Sequence, residues 1–245
     1  MPFGAAGRAL TMPKRFLEVS DLHAWYGESH VLHGVNFHVD EGEVVTLLGR
    51  NGAGRTSTLR AILGLTGSRK GSIKVRGEEV VALATHRIAR LGLGYCPEER
   101  GIFASLSAEE NLMLPPTLAE GGMSVPQIYA MFPNLQERAN SQGTRLSGGE
   151  QQMLAVARIL RTGARLLLLD EISEGLAPVI VQKLAEMVAS LRRQGYTIVM
   201  VEQNFRFAAP LADRFLVMEH GQVIQHFTQA ELPQRMSQLH EYLGV

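Results

Sequence analysis

The stretch GEVVTLLGRNGAGRTSTL, residues 42–59, decides the fold of this chain. Its apolar run Val44–Leu48 has the length of a buried strand, and glycine-rich residues follow it directly. The residues from Thr58 onward indicate a helix, for which Gly64 is a typical stop. A strand, a glycine-rich loop and a helix in this order are the context of a phosphate-binding loop, since loop amides and the helix N-terminus both attract anions.

The glycine-rich segment, residues 49–56, also carries the polar groups that such a loop uses. Its glycines let successive backbone N–H groups turn inward around an anion, and Thr56 is placed to offer its hydroxyl to Mg²⁺. An ordinary glycine-rich turn remains the alternative, because the usual pattern has Lys at the position of Arg55. The predicted nucleotide-binding residues are Gly49, Arg50, Asn51, Gly52, Ala53, Gly54, Arg55, Thr56 and Ser57.

Two acidic residues follow a second buried strand. The apolar run 166–169 precedes Asp170 and Glu171, and it would fix Asp170 rigidly enough to hold the coordination shell of Mg²⁺. Glu171 could then act on the attacking water as a general base. Surface Asp-Glu pairs after strands are common, so this interpretation depends on the phosphate-binding loop earlier in the chain.

A third segment is a possible second phosphate site. Ser147 is a good helix N-cap, and Gly148 and Gly149 leave the start of the helix open to an anion. An ordinary capped helix would have the same sequence. One nucleotide cannot easily use both phosphate sites of one chain, so the pattern suggests a sandwich in which Ser147 of one chain faces the glycine-rich loop of another.

In this order and spacing, the motifs resemble an ABC-type ATPase over residues 16–245. The resemblance rests on the glycine-rich loop, Pro97-Glu98, residues 146–152, Leu169-Asp170-Glu171 and Glu202-Gln203. It implies an α/β fold with a RecA-like phosphate-loop core, an antiparallel β-subdomain and a helical subdomain over roughly 98–160. Residues 1–15 are expected to be a disordered extension. The resemblance also implies a head-to-tail dimer that holds two ATP molecules with Mg²⁺ between its protomers.

The resemblance assigns roles to single residues. Tyr26 matches the aromatic residue that stacks on adenine, although a core tyrosine near a turn is the alternative. Glu171 matches the catalytic carboxylate, and Gln203 matches a switch position that usually holds His. Glu98 lies in the segment that couples the nucleotide to a membrane partner. The residues expected to close on the opposite ATP are Ser147, Gly148 and Gly149, and those expected at the metal are Thr56, Glu98 and Asp170.

Four segments resemble one branch of the family, the ATP-binding subunits of importers for branched-chain amino acids, with urea and amide importers as relatives. They are residues 97–103, 174–178, 201–204 and 242–245. The branch implies a second ABC ATPase subunit or a self-dimer, transmembrane permease subunits and, indirectly, a solute-binding protein. The expected location is the cytoplasmic face of the inner membrane, reached through the permease subunits.

Composition limits the kinds of partner and of cross-link that the chain can have. The formal net charge is zero and 20% of the residues are charged, which argues against a partner made of nucleic acid. Cys96 is the single cysteine, so no intramolecular disulfide can form. The leading hypothesis is an ATPase that energises import. In the alternative, the chain is a nucleotide-gated subunit with little hydrolysis of its own, because the forked guanidinium of Arg55 would place the γ-phosphate differently from Lys.

Overall fold

The computed structural model describes residues 14–243, apart from the side chain of His240. The strands are β1 (Arg15–Tyr26), β2 (Ser29–Asp40), β3 (Val44–Leu48), β4 (Ser68–Val75), β5 (Glu78–Glu79), β6 (Leu93–Cys96), β7 (Leu166–Asp170), β8 (Thr197–Val201), β9 (Arg214–Glu219) and β10 (Gln222–Thr228). The α-helices are α1 (Arg55–Leu63), α2 (Thr85–Ala89), α3 (Ala108–Met113), α4 (Val125–Met131), α5 (Pro133–Glu137), α6 (Gly148–Arg161), α7 (Pro178–Arg193), α8 (Phe205–Ala208) and α9 (Leu232–Leu243).

A six-stranded sheet forms the centre of the molecule, with strand order β10-β9-β3-β8-β7-β6. All its neighbouring strands are parallel except β9 and β10. Every residue of β3, β7 and β8 is buried, which explains why their sequences are continuous apolar runs and do not alternate. In such a sheet the carboxyl ends of the central strands meet at one edge, and ligands bind in the crevice there.

A second sheet is antiparallel and has the order β2-β1-β4-β5. It lies beside the phosphate-binding loop, because the N–H of His33 donates to the carbonyl of Gly221 at 2.9 Å, and the N–H of Gly221 donates to the carbonyl of Ala53 at 2.9 Å. These two bonds join β2, the β9–β10 turn and the glycine-rich loop. The predicted antiparallel β-subdomain is therefore present and forms one wall of the crevice.

The helical part of the chain consists of α3 to α6. Ser107, Ser124 and Ser147 each begin a helix with a capping box, in which the serine side chain and a residue three positions later satisfy each other's backbone N–H groups. The buried stripe of α6, which includes Met153, joins these helices to the central sheet in one hydrophobic cluster. The expected bounds of the helical subdomain, roughly 98–160, stay a prediction.

The ends of the chain differ from the sequence-based expectation. Strand β1 begins at Arg15, one residue before the predicted domain boundary, and the rest of the predicted extension except Lys14 lies outside the described residues. The elements β9, β10 and α9 have no counterpart in the sequence prediction. Within residues 14–243, no helix is long and apolar enough to cross a membrane.

Candidate active site

The glycine-rich loop adopts backbone conformations that only glycine allows at low cost. Gly49 has φ 152°, and a Cβ atom added there would lie 2.4 Å from the carbonyl oxygen of Met218. Gly54 has φ 102° and is the N-cap of α1, where no side chain caps the first N–H groups. The N-terminus of this nine-residue helix is thus left open to an anion, as a phosphate site requires.

The loop opens onto a cavity of about 650 Å³. Residues 51–57 form its floor, and Glu98, Glu171 and Gln203 reach it from three other segments of the chain. The structure therefore brings four separate sequence motifs together around one volume. Three histidines also line this cavity, His30 and His33 from β2 and His220 from the β9–β10 turn. The sequence analysis missed them, because nothing in the local pattern places these positions near the loop.

Thr56 lines the cavity and contacts the buried Asp170, although the two lie 114 positions apart in the sequence. The Thr56 hydroxyl donates to Oδ1 of Asp170 at 2.9 Å, and the Tyr95 hydroxyl donates to Oδ2 at 2.9 Å. Burial raises the pKa of Asp170, while these two hydrogen bonds oppose that shift. Hydroxyl and carboxylate oxygens suit Mg²⁺, which is usually bound by one or two carboxylates together with phosphates and waters.

Glu98 also lines the cavity. Its pKa is raised by partial burial and then by the nearby Glu171 carboxylate. Within residues 14–243, no group of three or more His, Cys, Asp or Glu side chains is arranged to hold a metal ion by itself.

Glu171 is held by two partners. Its Oε1 accepts a hydrogen bond from Nη2 of Arg55 at 2.9 Å, and Nε2 of Gln203 donates to Oε1 and Oε2 at 3.1 and 3.0 Å. The Arg55 side chain is only 5% exposed and that of Glu171 is 9% exposed, so the ion pair is buried. Glu171 also has φ 49°, which is unusual for a residue other than glycine, and its N–H donates to the carbonyl of Val201 at 2.8 Å.

Some predicted site residues lie outside this cavity. Gly49 and Arg50 line a neighbouring cavity of about 640 Å³ that also contacts Asn51 and Gln203. Tyr26 is 37% exposed at the end of β1 and is not among the residues that line either cavity. Its role in stacking on adenine stays a prediction.

The serine motif is also separate from its own chain's cavity. Ser147 is exposed, and its hydroxyl accepts a hydrogen bond from the N–H of Glu150 at 3.3 Å. Gly148 follows it, and Gly149 is buried so closely against Ile180 that an added Cβ would lie 2.8 Å from that side chain. These three residues do not line the cavity that holds residues 51–57.

The sequence model of the ABC transporter family matches residues 32–174, from β2 to the loop after β7. This chain belongs to the ABC transporter family. The match includes the glycine-rich loop, the serine motif and the Asp170-Glu171 pair. It confirms the resemblance on which the sequence analysis relied.

Three members of this family illustrate which of its proteins the chain is similar to in sequence. It is 40% identical over 231 residues to the high-affinity branched-chain amino acid transport ATP-binding protein BraG of Pseudomonas aeruginosa, covering 93% of this chain and 99% of that protein. It is 31% identical to the lipopolysaccharide export system ATP-binding protein LptB of Escherichia coli, covering 93% and 97%. It is 32% identical to the probable branched-chain amino acid transport ATP-binding protein LivF of Archaeoglobus fulgidus, covering 88% and 93%.

A solved structure confirms the fold. The ATP-binding subunit of an ABC transporter superimposes with a TM-score of 0.80 and 27% sequence identity, over 94% of this chain and all of that one. The predicted phosphate-loop core with β- and helical subdomains is therefore the fold of an ABC cassette. The expectation that Arg55 puts the rate of hydrolysis in doubt is not borne out, since the chain matches ABC ATPases along nearly its whole length.

Proposed function

We propose that this chain is the ATP-hydrolysing subunit of an ABC importer for branched-chain amino acids or a related small solute. The observation that carries the proposal is that Arg55, Thr56 and Glu171 line one cavity. Arg55 there forms an ion pair with Glu171, and the Thr56 hydroxyl contacts the buried Asp170. The solute class is supported by the 40% identity with BraG, against 31% with an exporter subunit. In this proposal ATP and water react to give ADP and phosphate, and the free energy drives solute uptake.

The phosphates of ATP would lie against the N–H groups of the glycine-rich loop and the open N-terminus of α1. Arg55 supplies a cation at the loop, and because its guanidinium is buried its charge is poorly screened by solvent. Thr56 and Asp170 would hold Mg²⁺ through their oxygen atoms, with Glu98 near the same position. The ion, when bound, supplies positive charge that offsets the charge developing on the phosphates.

Glu171 is the proposed general base. Its carboxylate accepts the proton of the attacking water, provided that the water lies within hydrogen-bond distance of Oε1 or Oε2. Gln203 donates to both oxygens and so fixes the plane of the carboxylate. Arg55 occupies one side of this carboxylate. Phosphates that attract Arg55 would leave that side free for water.

The serine motif supports a paired arrangement of two cassettes. Ser147 caps an exposed helix start away from its own glycine-rich loop, so a second chain placed head to tail would present its loop there. The proposed partners are a second ABC ATPase subunit or a second copy of this chain, permease subunits and, through them, a solute-binding protein. The proposed location is the cytoplasmic face of the membrane that contains the permease.

The decisive experiment measures phosphate release and solute uptake by the assembled complex in vesicles. The parent chain should release phosphate in an ATP- and Mg²⁺-dependent way, and Glu171→Gln should abolish release while ATP still binds. Labelled leucine, urea and a short amide should be compared as solutes. Equal phosphate release by the parent and by Glu171→Gln would mean that another subunit performs hydrolysis and that this chain only binds nucleotide.

A further inference from the structure

Glu202 is a buried carboxylate for which the proposed reaction has no role. It follows β8, directly precedes Gln203, and is 1% exposed. Buried carboxylates are rare unless hydrogen bonds satisfy them, so the partners of Glu202 indicate what it holds in place.

The Glu202 carboxylate binds one residue with both of its oxygens. The hydroxyl of Ser173 donates to Oε2 at 2.7 Å, and the N–H of Ser173 donates to Oε1 at 3.2 Å. Ser173 is 4% exposed and lies two positions after Glu171, in the segment that connects β7 to α7. Both donors are therefore buried, and removal of the carboxylate would leave both without their partner.

The main chain of Glu202 makes a second connection to the site. Its carbonyl oxygen accepts a hydrogen bond from Nη1 of Arg55 at 2.9 Å, while Nη2 of the same guanidinium donates to Glu171. Arg55 thus bridges Glu202 and Glu171 with its two amino groups. A lysine has a single ammonium and lacks this planar fork, so the bridge uses a property of arginine.

Glu202 makes no direct hydrogen bond to Glu171 but contacts two residues next to it, Ser173 and Arg55. Glu171 has φ 49°, and such a conformation persists in a non-glycine residue only where neighbouring contacts enforce it. One contact is the bond from its own N–H to Val201, the residue before Glu202. The other is the pair of bonds that hold Ser173 to the Glu202 carboxylate, which restrict the backbone conformation of the residues after Glu171.

We propose that Glu202 is a positioning residue for ATP hydrolysis, whose side chain holds the segment that follows Glu171 in place through Ser173. This inference rests on the proposed hydrolytic function of the chain. It assigns to Glu202 no contact with ATP or water. The expected consequence of loosening Glu202 is a misplaced base in an otherwise intact nucleotide site.

The test compares Glu202→Gln, Ser173→Ala and Ser173→Thr in the full chain. Glu202→Gln and Ser173→Ala should lower kcat on the order of ten- to a hundredfold, as small misplacements of a reacting group do. KM and the affinity for ATP should stay within about twofold, because the glycine-rich loop is unchanged. Ser173→Thr keeps the hydroxyl and should restore most of the turnover that Ser173→Ala loses.

A second readout does not require turnover. Amide hydrogen exchange of residues 171–177, measured without nucleotide, should be faster in Glu202→Gln and Ser173→Ala than in the parent. The control is Glu79→Gln. Glu79 also accepts bonds from a serine hydroxyl (Ser72) and from a backbone N–H (Ile73), but it is exposed and lies in the antiparallel sheet. This control should leave both turnover and exchange at 171–177 unchanged.

The outcomes separate the two proposals. Parent-like kcat and exchange in both Glu202→Gln and Ser173→Ala would overturn the positioning role, as would a loss of ATP affinity equal to the loss of kcat. If Glu202→Gln does not fold, the Ser173→Ala and Ser173→Thr pair decides the question. A parent chain that does not hydrolyse ATP would refute the proposed function, and the exchange measurement would then decide alone whether Glu202 holds residues 171–177.

Discussion

The buried pair of Arg55 and Glu171 predicts a large cost when only one of its charges is removed. The two atoms that form it, Nη2 and Oε1, are 2.9 Å apart, and both side chains are less than 10% exposed. Arg55→Met leaves the Glu171 carboxylate buried without its cation, which typically costs about 3–5 kcal/mol of unfolding free energy. Gln203 still donates to Glu171, so we expect a value near the lower end of this range.

An exposed ion pair of similar length serves as the control. Arg15 and Glu18 are 2.7 Å apart, but their side chains are 52% and 33% exposed. Because water screens such a pair, Arg15→Met should cost at most about 1 kcal/mol. The two variants compare a buried pair with an exposed pair of similar length. Arg55→Met also removes the hydrogen bond to the carbonyl of Glu202, which adds to its cost.

The assay is urea unfolding of the nucleotide-free chain, followed by the fluorescence of Trp25, the single tryptophan. The double variant, Arg55→Met with Glu171→Gln, should recover most of the stability that Arg55→Met loses, because no uncompensated charge remains. Arg55→Met should also weaken ATP binding, since the loop loses its cation. Equal unfolding midpoints for Arg55→Met and Arg15→Met, with no recovery in the double variant, would refute the reasoning.

Two further predictions concern the loop and the pH dependence of stability. Gly49→Ala should abolish ATP binding and lower the free energy of unfolding by about 1–3 kcal/mol, because the added Cβ would lie 2.4 Å from the backbone carbonyl of Met218. Gly42 has φ 79° and free space around it, so Gly42→Ala should still bind ATP in a nucleotide titration. Burial raises the pKa of Glu202 from 4.5 to about 7, so the folded chain binds a proton that the unfolded chain releases between these values. The contribution of Glu202 to the free energy of unfolding is fully present below pH 4.5 and is lost as the pH rises through 7. The loss is on the order of 3 kcal/mol. Unfolding at pH 5 and pH 8 should therefore show a larger loss in the parent than in Glu202→Gln, and parallel losses would contradict the assignment.

The sequence alone determined the elements of the core and most of the site motifs. The runs that became β3, β7 and β8 are recognisable because strands buried on both faces are mostly apolar. The glycine-rich loop is recognisable because its backbone conformations exclude other residues at Gly49 and Gly54. Both patterns involve residues that are neighbours in the sequence, so they can be recognised without the structure. Strand β9 has a comparable apolar run, residues 215–218, which the sequence analysis overlooked. Strand β10 is only partly buried and carries a weaker local signal.

Only the tertiary structure decided which side chains meet. The register that pairs Asp170 with Val201 places Glu171 beside Arg55, and it places Ser173 on Glu202 across a separation of 29 residues. The three histidines reach the cavity in the same way, through the position of β2 and of the β9–β10 turn against the loop. Such contacts depend on strand order and on the direction of each side chain. The residues of the site do not themselves specify the strand order or the side-chain directions. Both are set when strands that are distant in the sequence bury their apolar faces against common neighbours.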